Sequence, residues 1–473
     1  MKDTTKPSAS PKDAPQKDTE KTERCAREVS RLRAVFESGA TLPVEARLRV
    51  LRRLRTRLRE RKEELLAALH ADLGKSRCEG YMSELAPVLS EISYFLHKLP
   101  RLAAKKRVRA SLSQFPATCF TLPSPYGVAL IMSPWNYPLQ LTLCPLVDCI
   151  AAGNCALVKP SEYAPSTGEA IASLLASLGE ECIGTVLGGI GENRELLKQN
   201  YDFIFFTGSV PTGRIVAEAA AKTLTPVVLE LGGKSPCIVD ADADISLAAK
   251  RICFGKLLNA GQTCVAPDYI LAHAHIKDAL VEAIEQTARG MFGDALRNES
   301  YPHIVNKKHF DRVRALIDPE KTVFGGEWEE KTLRIAPTLL DGVSFDDPVM
   351  KEEIFGPVLP VLTFLNFDEV KEAIARNPAP LALYYFGKKN EARALGEISF
   401  GGGCVNDTVL HLVTHHMGFG GIGTSGMGAY HGERGFYAFS HVKSILKKGR
   451  MDNSLRYAPY TDKKCSSFER LFR

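Results

Sequence analysis

Apolar residues recur along this chain with two different periods. Over residues 43–73, Leu48, Leu51, Leu54 and Leu58 return at intervals of three and four, which puts them on one face of a helix. After Pro123 the pattern becomes short apolar runs separated by amphipathic stretches. Residues 127–132 (G-V-A-L-I-M), 155–158, 203–206 and 227–229 predict buried strands, and residues 139–152, 166–178 and 213–221 predict the helices between them. This alternation favours a parallel sheet with helices on both faces. A second α/β rhythm runs from about residue 236 to 412 and includes P-C-I-V-D, residues 247–258, residues 269–272 and V-L-P-V-L-T-F. The break between the two falls at Leu231-Gly232-Gly233. A chain of 473 residues exceeds one hydrophobic core, so two or three domains are expected.

Composition narrows the class. Apolar residues make up 45% and charged residues 25%, the balance of a globular protein in water. Residues 1–23 are rich in Lys, Asp, Pro, Ser and Thr and read as a disordered tail; they lack the apolar stretch of a signal peptide. The longest apolar region, residues 139–158, contains Pro145, Asp148, Gly153 and Asn154, so a buried helix leading into a strand fits better than a membrane span. Twelve cysteines at irregular spacing include no C-x-x-C and no zinc-ligand cluster. Reduced thiols, no bound metal and a cytoplasmic location are the expectation.

The charge of +6 comes largely from local runs. Arg47, Arg49, Arg52, Arg53, Arg55, Arg57, Arg59 and Arg61 crowd the first helix, with Glu60, Glu63 and Glu64 among them. No aromatic residues interleave with them, so a solvated face is expected rather than a nucleic-acid surface.

Three glycine segments compete as a cofactor loop. F-F-T-G-S-V-P-T-G-R, residues 205–214, follows an apolar run and opens a helix, the setting in which backbone N–H groups meet a pyrophosphate. It lacks the Lys-Ser/Thr of a P-loop, and an ordinary strand-to-helix turn is the alternative. G-F-G-G-I-G-T-S-G-M-G, residues 418–428, contains G-x-G-x-x-G without a strand–helix frame and reads as an irregular loop near the site. L-G-G-I-G, residues 187–191, reads as a turn.

Candidate chemistry lies in dispersed segments. In F-G-K-L-L-N-A-G-Q-T-C-V-A-P-D, Cys264 sits among polar residues and glycine, whereas thiols such as Cys149 and Cys253 have apolar neighbours. A nucleophilic thiol needs partial exposure and nearby donors. V-V-L-E-L-G-G-K puts Glu230 at the end of a strand, where desolvation would suit it to general-base work; a salt bridge or helix cap is the alternative. In S-P-W-N-Y-P, two prolines and two aromatics fix a turn from which Asn136 projects as a donor for an oxyanion, or as a turn-stabilising amide. E-E-I-F-G-P adds a carboxylate and a phenyl ring.

Together, P-W-N-Y-P, K-P-S-E, F-F-T-G-S, L-E-L-G-G-K, G-Q-T-C and E-E-I-F-G-P resemble the aldehyde dehydrogenase superfamily in order and approximate spacing, over roughly residues 25–460. N-A-G-Q-T-C-V-A-P-D-Y-I, P-L-A-L-Y and S-G-M-G-A-Y-H-G resemble its class 3 branch, which acts on fatty and aromatic aldehydes. The resemblance implies that Cys264 is the nucleophile, Glu230 the base for hydrolytic water, and Asn136 with the Cys264 N–H the oxyanion hole. It implies that Lys159 and Glu162 hold the adenosine ribose. Gly208, Ser209, Val210, Pro211, Thr212 and Gly213 would carry the pyrophosphate, and Glu353 and Phe355 would clamp the nicotinamide ribose.

The implied fold is α/β: a Rossmann-like cofactor domain (residues 24–103 and 125–230), an α/β catalytic domain (231–413) and a small β bridging arm for oligomerisation (104–124 and 414–450). Residues 451–473 form a C-terminal tail without an apolar membrane anchor. The implied reaction is NAD-dependent oxidation of an aldehyde to a carboxylic acid by a homodimer, with NADP also possible; Glu162 would repel a 2′-phosphate and favours NAD. Three readings compete: a Cys264 hydrolase using His415 or His416, a phosphorylating or CoA-acylating relative, and a structural protein.

Overall fold

The computed structural model describes residues 13–111, 114–452 and 454–471. Its two main sheets have the expected parallel character. The first has six strands in the spatial order Gly426–Met427, Val227–Glu230, Phe203–Thr207, Val128–Met132, Cys155–Lys159 and Ile183–Thr185, all parallel except the first. Its central strands are buried on both faces, which is why they read as unbroken apolar runs rather than alternations. The chain moves outward from Val128–Met132 to Ile183–Thr185, then returns to Phe203–Thr207 on the other side. That reversal is a topological switch point, and it opens a crevice at the carboxyl ends of the strands. Met132 pairs with both Lys159 and Phe206, and Thr207 pairs with Glu230, so the strands end in step.

The second sheet has seven strands, in the order Thr322–Phe324, Thr338–Leu340, Val358–Phe364, Tyr269–His273, Pro236–Val239, Ala382–Phe386 and Gly402–Val405. A third, antiparallel sheet joins Lys106–Val108, Ala117–Pro125 and Ser440–Lys448. The α/β class with a small β arm therefore stands. Within residues 414–439, Gly426–Met427 closes the edge of the first sheet, and the helix Gly432–Ala438 packs on the helix Gln140–Ala152. Ser425 O accepts from Leu231 N (3.0 Å), extending that pairing.

Three expectations need adjustment. The helical stretch 43–73 is two helices, Val44–Glu60 and Lys62–Leu73, broken at Arg61 with φ −99° and ψ 18°. Residues 1–12 of the expected disordered tail lie outside the described residues, while residues 13–23 begin the helix Asp13–Glu37. That helix is anchored where Thr22 Oγ1 donates to Glu195 (2.7 Å) and Lys21 pairs with Glu192 (3.3 Å). In the C-terminal tail, residues 462–471 are helical.

The arginine run behaves as a solvated face with one exception. Arg52, Arg53 and Arg57 each meet a glutamate at 2.7 Å. Arg47 is buried instead. Its guanidinium donates to the carbonyls of Thr41 (2.9 Å), Leu42 (2.7 Å) and Ala151 (3.1 Å), and burial pushes its pKa down to about 10. Ala151 lies in the last turn of Gln140–Ala152, where a cation complements unpaired carbonyls. Arg47→Leu therefore leaves three carbonyls without their donor. We expect a loss of about 3 kcal/mol or more, read as a lower urea midpoint at unchanged slope.

Candidate active site

The carboxyl ends of the first sheet wall a cavity of about 600 Å3. Pro134 to Asn136 follow Val128–Met132, Thr207 to Pro211 follow Phe203–Thr207, and Glu230 to Lys234 follow Val227–Glu230. The opposite wall carries Cys264, Glu353 and Phe355 from the second α/β unit. Of the residues singled out in the sequence, Asn136, Gly208, Ser209, Val210, Pro211, Glu230, Cys264, Glu353 and Phe355 line one space. Lys159, Glu162, Thr212 and Gly213 are not on its wall. Lys159 ends the neighbouring strand, and its Nζ donates to Pro160 O (2.7 Å) and meets Glu162 at 3.4 Å. Thr212 and Gly213 lie in the first turns of the helix Val210–Ala221.

The loop bearing the thiol is an unusual backbone. Asn259, Ala260 and Gly261 are left-handed in succession, with φ of 53°, 50° and 75°. Gly261 has no alternative, because a Cβ there would lie 2.2 Å from Gly356 O. The buried Gln262 secures the turn: Nε2 donates to Asn259 O and His303 O (both 3.0 Å), and Oε1 accepts from Val305 N (3.0 Å). Its backbone carbonyl accepts from Asn136 Nδ2 at 3.0 Å, which leaves the second amide hydrogen of Asn136 uncommitted by that bond. Tyr137 OH pairs with Thr263 Oγ1 at 2.6 Å. Cys264 is partly exposed, and it opens onto the cavity. Burial pushes its thiol pKa up, and the carboxylates of Glu353 and Glu230 push it further.

Two carboxyl groups face this sulfur with different surroundings. Glu230 is 3% exposed, and neither of its oxygens has a hydrogen-bond partner. Burial holds its pKa well above the usual carboxylate range. Glu353 is pushed up to about 8 by burial and by Asp268, against the Gly233 N–H, Lys234 and Arg312. Lys234 fixes this wall by donating to Asp268 (2.6 Å), Val349 O (2.8 Å) and Glu352 O (3.0 Å). Asp268 accepts in turn from Ile354 N at 3.0 Å. Gly232 lies close against the Glu353 carboxyl, since a Cβ would stand 2.1 Å from Glu353 Oε2 and displace it. Trp135 sets its ring edge-on to Phe355, with centroids 5.4 Å apart.

The space suits a dinucleotide. The Thr207 hydroxyl is buried without a partner, as is the Glu230 carboxyl. The helix Val210–Ala221 starts at the cavity with no side chain capping it, because Ser209 Oγ pairs with Thr212 Oγ1 (3.0 Å). Unpaired N–H groups at a helix N-terminus favour a phosphate. Gly213 lets the helix press on Leu231, where a Cβ would come within 2.5 Å. Among the described residues no cluster of His, Cys, Asp and Glu is arranged to hold a metal ion. Neither histidine of the hydrolase alternative lines the cavity. His415 Nδ1 lies 2.7 Å from Glu91, and its Nε2 lies 2.8 Å from Ser90 Oγ.

A thiol set opposite the switch point of a dinucleotide-type sheet, with desolvated carboxyls beside it, defines a cysteine-dependent oxidoreductase. Comparison with known proteins identifies which kind: the chain belongs to the aldehyde dehydrogenase family, whose sequence profile matches residues 3–445. It is 45% identical over 447 residues to mouse (Mus musculus) aldehyde dehydrogenase family 3 member A2, covering 93% of this chain and 92% of that protein. It is 41% identical to the dog (Canis lupus familiaris) aldehyde dehydrogenase named dimeric NADP-preferring, covering 91% and 97%. Its fold superposes on the substrate-bound state of Staphylococcus aureus AldH with a TM-score of 0.92 at 41% identity, covering 94% of this chain and 99% of that one.

The left-handed turn gives a direct check. Gly261→Ala forces either the turn or the Gly356 segment to move, and a displacement of about 1 Å at a reacting group can cost about 100-fold in rate. We expect aldehyde oxidation to fall by at least about that factor, with a lowered thermal midpoint. A variant that keeps its full rate shows that the turn does not set the sulfur's position.

Proposed function

We propose that the protein oxidises aldehydes with a long aliphatic or aromatic body to carboxylic acids, with NAD(P) as hydride acceptor and Cys264 as nucleophile. The observation that carries this reading is convergence: Cys264, Asn136 and a buried, unpartnered Glu230 face one cavity from three separate stretches of chain. In the first step Cys264 Sγ bonds to the carbonyl carbon, and its proton passes to a neighbouring carboxylate. The new oxyanion accepts from Asn136 Nδ2 and from the Cys264 N–H, donors of a kind each worth about 2.7–4 kcal/mol in a transition state. A bound nicotinamide would supply the electrophilic carbon that accepts hydride, while Cys264 would hold the substrate carbon first as the adduct and then as an acyl thioester. Glu230 then takes a proton from water, the water oxygen adds to the acyl carbon, the C–S bond breaks, and the acid leaves as the thiol is restored.

The proposal extends to cofactor choice, assembly and place. Glu162, paired with Lys159, would meet the 2′-oxygen of the adenosine ribose and favour NAD over NADP. The edge strand Ser440–Lys448 is mostly exposed and presents Val442, Ile445 and Leu446, which suits pairing with a second copy. No described helix is long and apolar enough to cross a membrane. Twelve free thiols fit a reducing cytoplasm.

Four measurements test this. Cys264→Ala should abolish reduced-cofactor formation while leaving cofactor affinity within about twofold, and any remaining aldehyde-dependent turnover sinks the assignment. Glu230→Gln should give one fast burst of reduced cofactor per site and then stall. In the native protein the base form of Glu230 appears as pH rises, so turnover limited by deacylation should climb through an apparent pKa above the usual value of about 4.3. Glu162→Gln should raise kcat/KM with NADP relative to NAD, by about tenfold for 1.4 kcal/mol of relieved repulsion; an unchanged ratio places the 2′-oxygen elsewhere.

A further inference from the structure

Residues 75–84 stand behind the cavity wall and take no part in the steps above, yet three ionisable groups turn inward from them. Lys75 is fully buried. Its Nζ donates to Glu84 Oε1 (2.6 Å) and to the backbone carbonyl of Asn136 (2.9 Å), and lies 3.8 Å from the centre of the Tyr137 ring. Glu84 is equally buried, and its other oxygen accepts from Leu139 N (3.0 Å) and Gln140 N (2.9 Å) at the start of Gln140–Ala152. Glu79 accepts from Asn259 N at 2.7 Å, and Asn259 Nδ2 donates to the same Asn136 carbonyl at 2.8 Å. Tyr81–Leu85 is a π-helical turn, a local widening found often beside functional sites.

Burying an ammonium and a carboxylate is costly, and apolar side chains of similar volume are commonly as stable. Stability alone therefore does not account for the pair; its targets do. The Asn136 carbonyl has two donors, Lys75 and Asn259, while the Asn136 side chain is tied to Gln262 O in the nucleophile loop. The peptide is thus fixed from behind, while Asn136 lines the same cavity as Cys264.

We propose that Lys75, with Glu84 as its counter-ion, is a positioning residue that fixes the Asn136 peptide so that its amide meets the oxyanion formed at Cys264. The inference rests on the oxyanion role given to Asn136 above. Lys75 touches no substrate and acts only through Asn136, so its effect should be absent where that amide is absent.

The test is a double-mutant cycle on the full-length enzyme with NAD and a saturating aldehyde, reading the pre-steady-state burst rate of reduced cofactor. Lys75→Met should slow the burst about 10- to 100-fold while NAD affinity, from tryptophan quenching, and aldehyde KM stay within about twofold. Asn136→Ala should slow it about 100- to 1000-fold, and adding Lys75→Met to it should cost nothing further. A wild-type burst in Lys75→Met, or penalties that multiply in the double variant, overturns the proposal. A wild-type burst in Asn136→Ala overturns the oxyanion reading and takes this inference with it; the silent single variant tells which idea failed. If Lys75→Met does not fold, Glu84→Gln, which keeps an acceptor for both helix N–H groups, enters the same cycle under the same criteria.

Discussion

The site depends on parallel strands ending in step. Met132 pairs with Lys159 and Phe206, and Thr207 with Glu230, so consecutive strands release their chains at one level. From that level the turn with Asn136, the glycine loop with Ser209 and the carboxylate Glu230 enter a common crevice. A slip of one residue in any of these pairings would turn every side chain of that strand to the other face. Because both faces of these strands are close-packed, such a slip would have to repack two layers, so the same apolar packing that stabilises the sheet also holds the crevice in shape.

Electrostatics then distinguish the two carboxyls. Glu230 has no partner, and burial alone holds its pKa well above the usual carboxylate range, whereas Glu353 lies among Lys234, Arg312 and the Gly233 N–H, which offset part of the upward push of burial. Groups so placed are costly to the fold and useful to chemistry, since a carboxyl of raised pKa is a stronger base once ionised. The thiol follows the same logic. Burial first, and then the nearby carboxyls of Glu353 and Glu230, push its pKa up, so forming the thiolate depends on a group that accepts its proton.

Much of this was legible in the residues. The apolar runs marked the central strands because both their faces are covered, and the polar setting of Cys264 separated it from thiols among apolar neighbours. Six short motifs together carried the family resemblance. Other features were less visible. The break at Arg61 leaves no mark in a continuous helical period. Arg47 looked like its neighbours because a single cation reaching three carbonyls cannot be told from a solvated one without knowing where the helix Gln140–Ala152 ends. Lys75, Glu84 and Gln262 were missed because their partners lie far along the chain, and only the fold brings them together. The glycines at 418–428 read as a loop, yet two of those residues complete a sheet edge, since a two-residue strand has no periodicity to detect.

That edge strand constrains how the chain is made. Gly426–Met427 completes a sheet whose neighbouring strand ended at Glu230, and Asn154 Nδ2 donates to Phe439 O at 2.9 Å. On a ribosome adding roughly 5–20 residues per second, the wait between those strands lasts on the order of 10–40 s. Throughout that interval the nascent first unit carries a bare flank of backbone donors and acceptors. Vectorial synthesis thus leaves it open to chaperone capture, or to mispairing with a neighbouring polysome product, until Gly426–Met427 emerges and closes it.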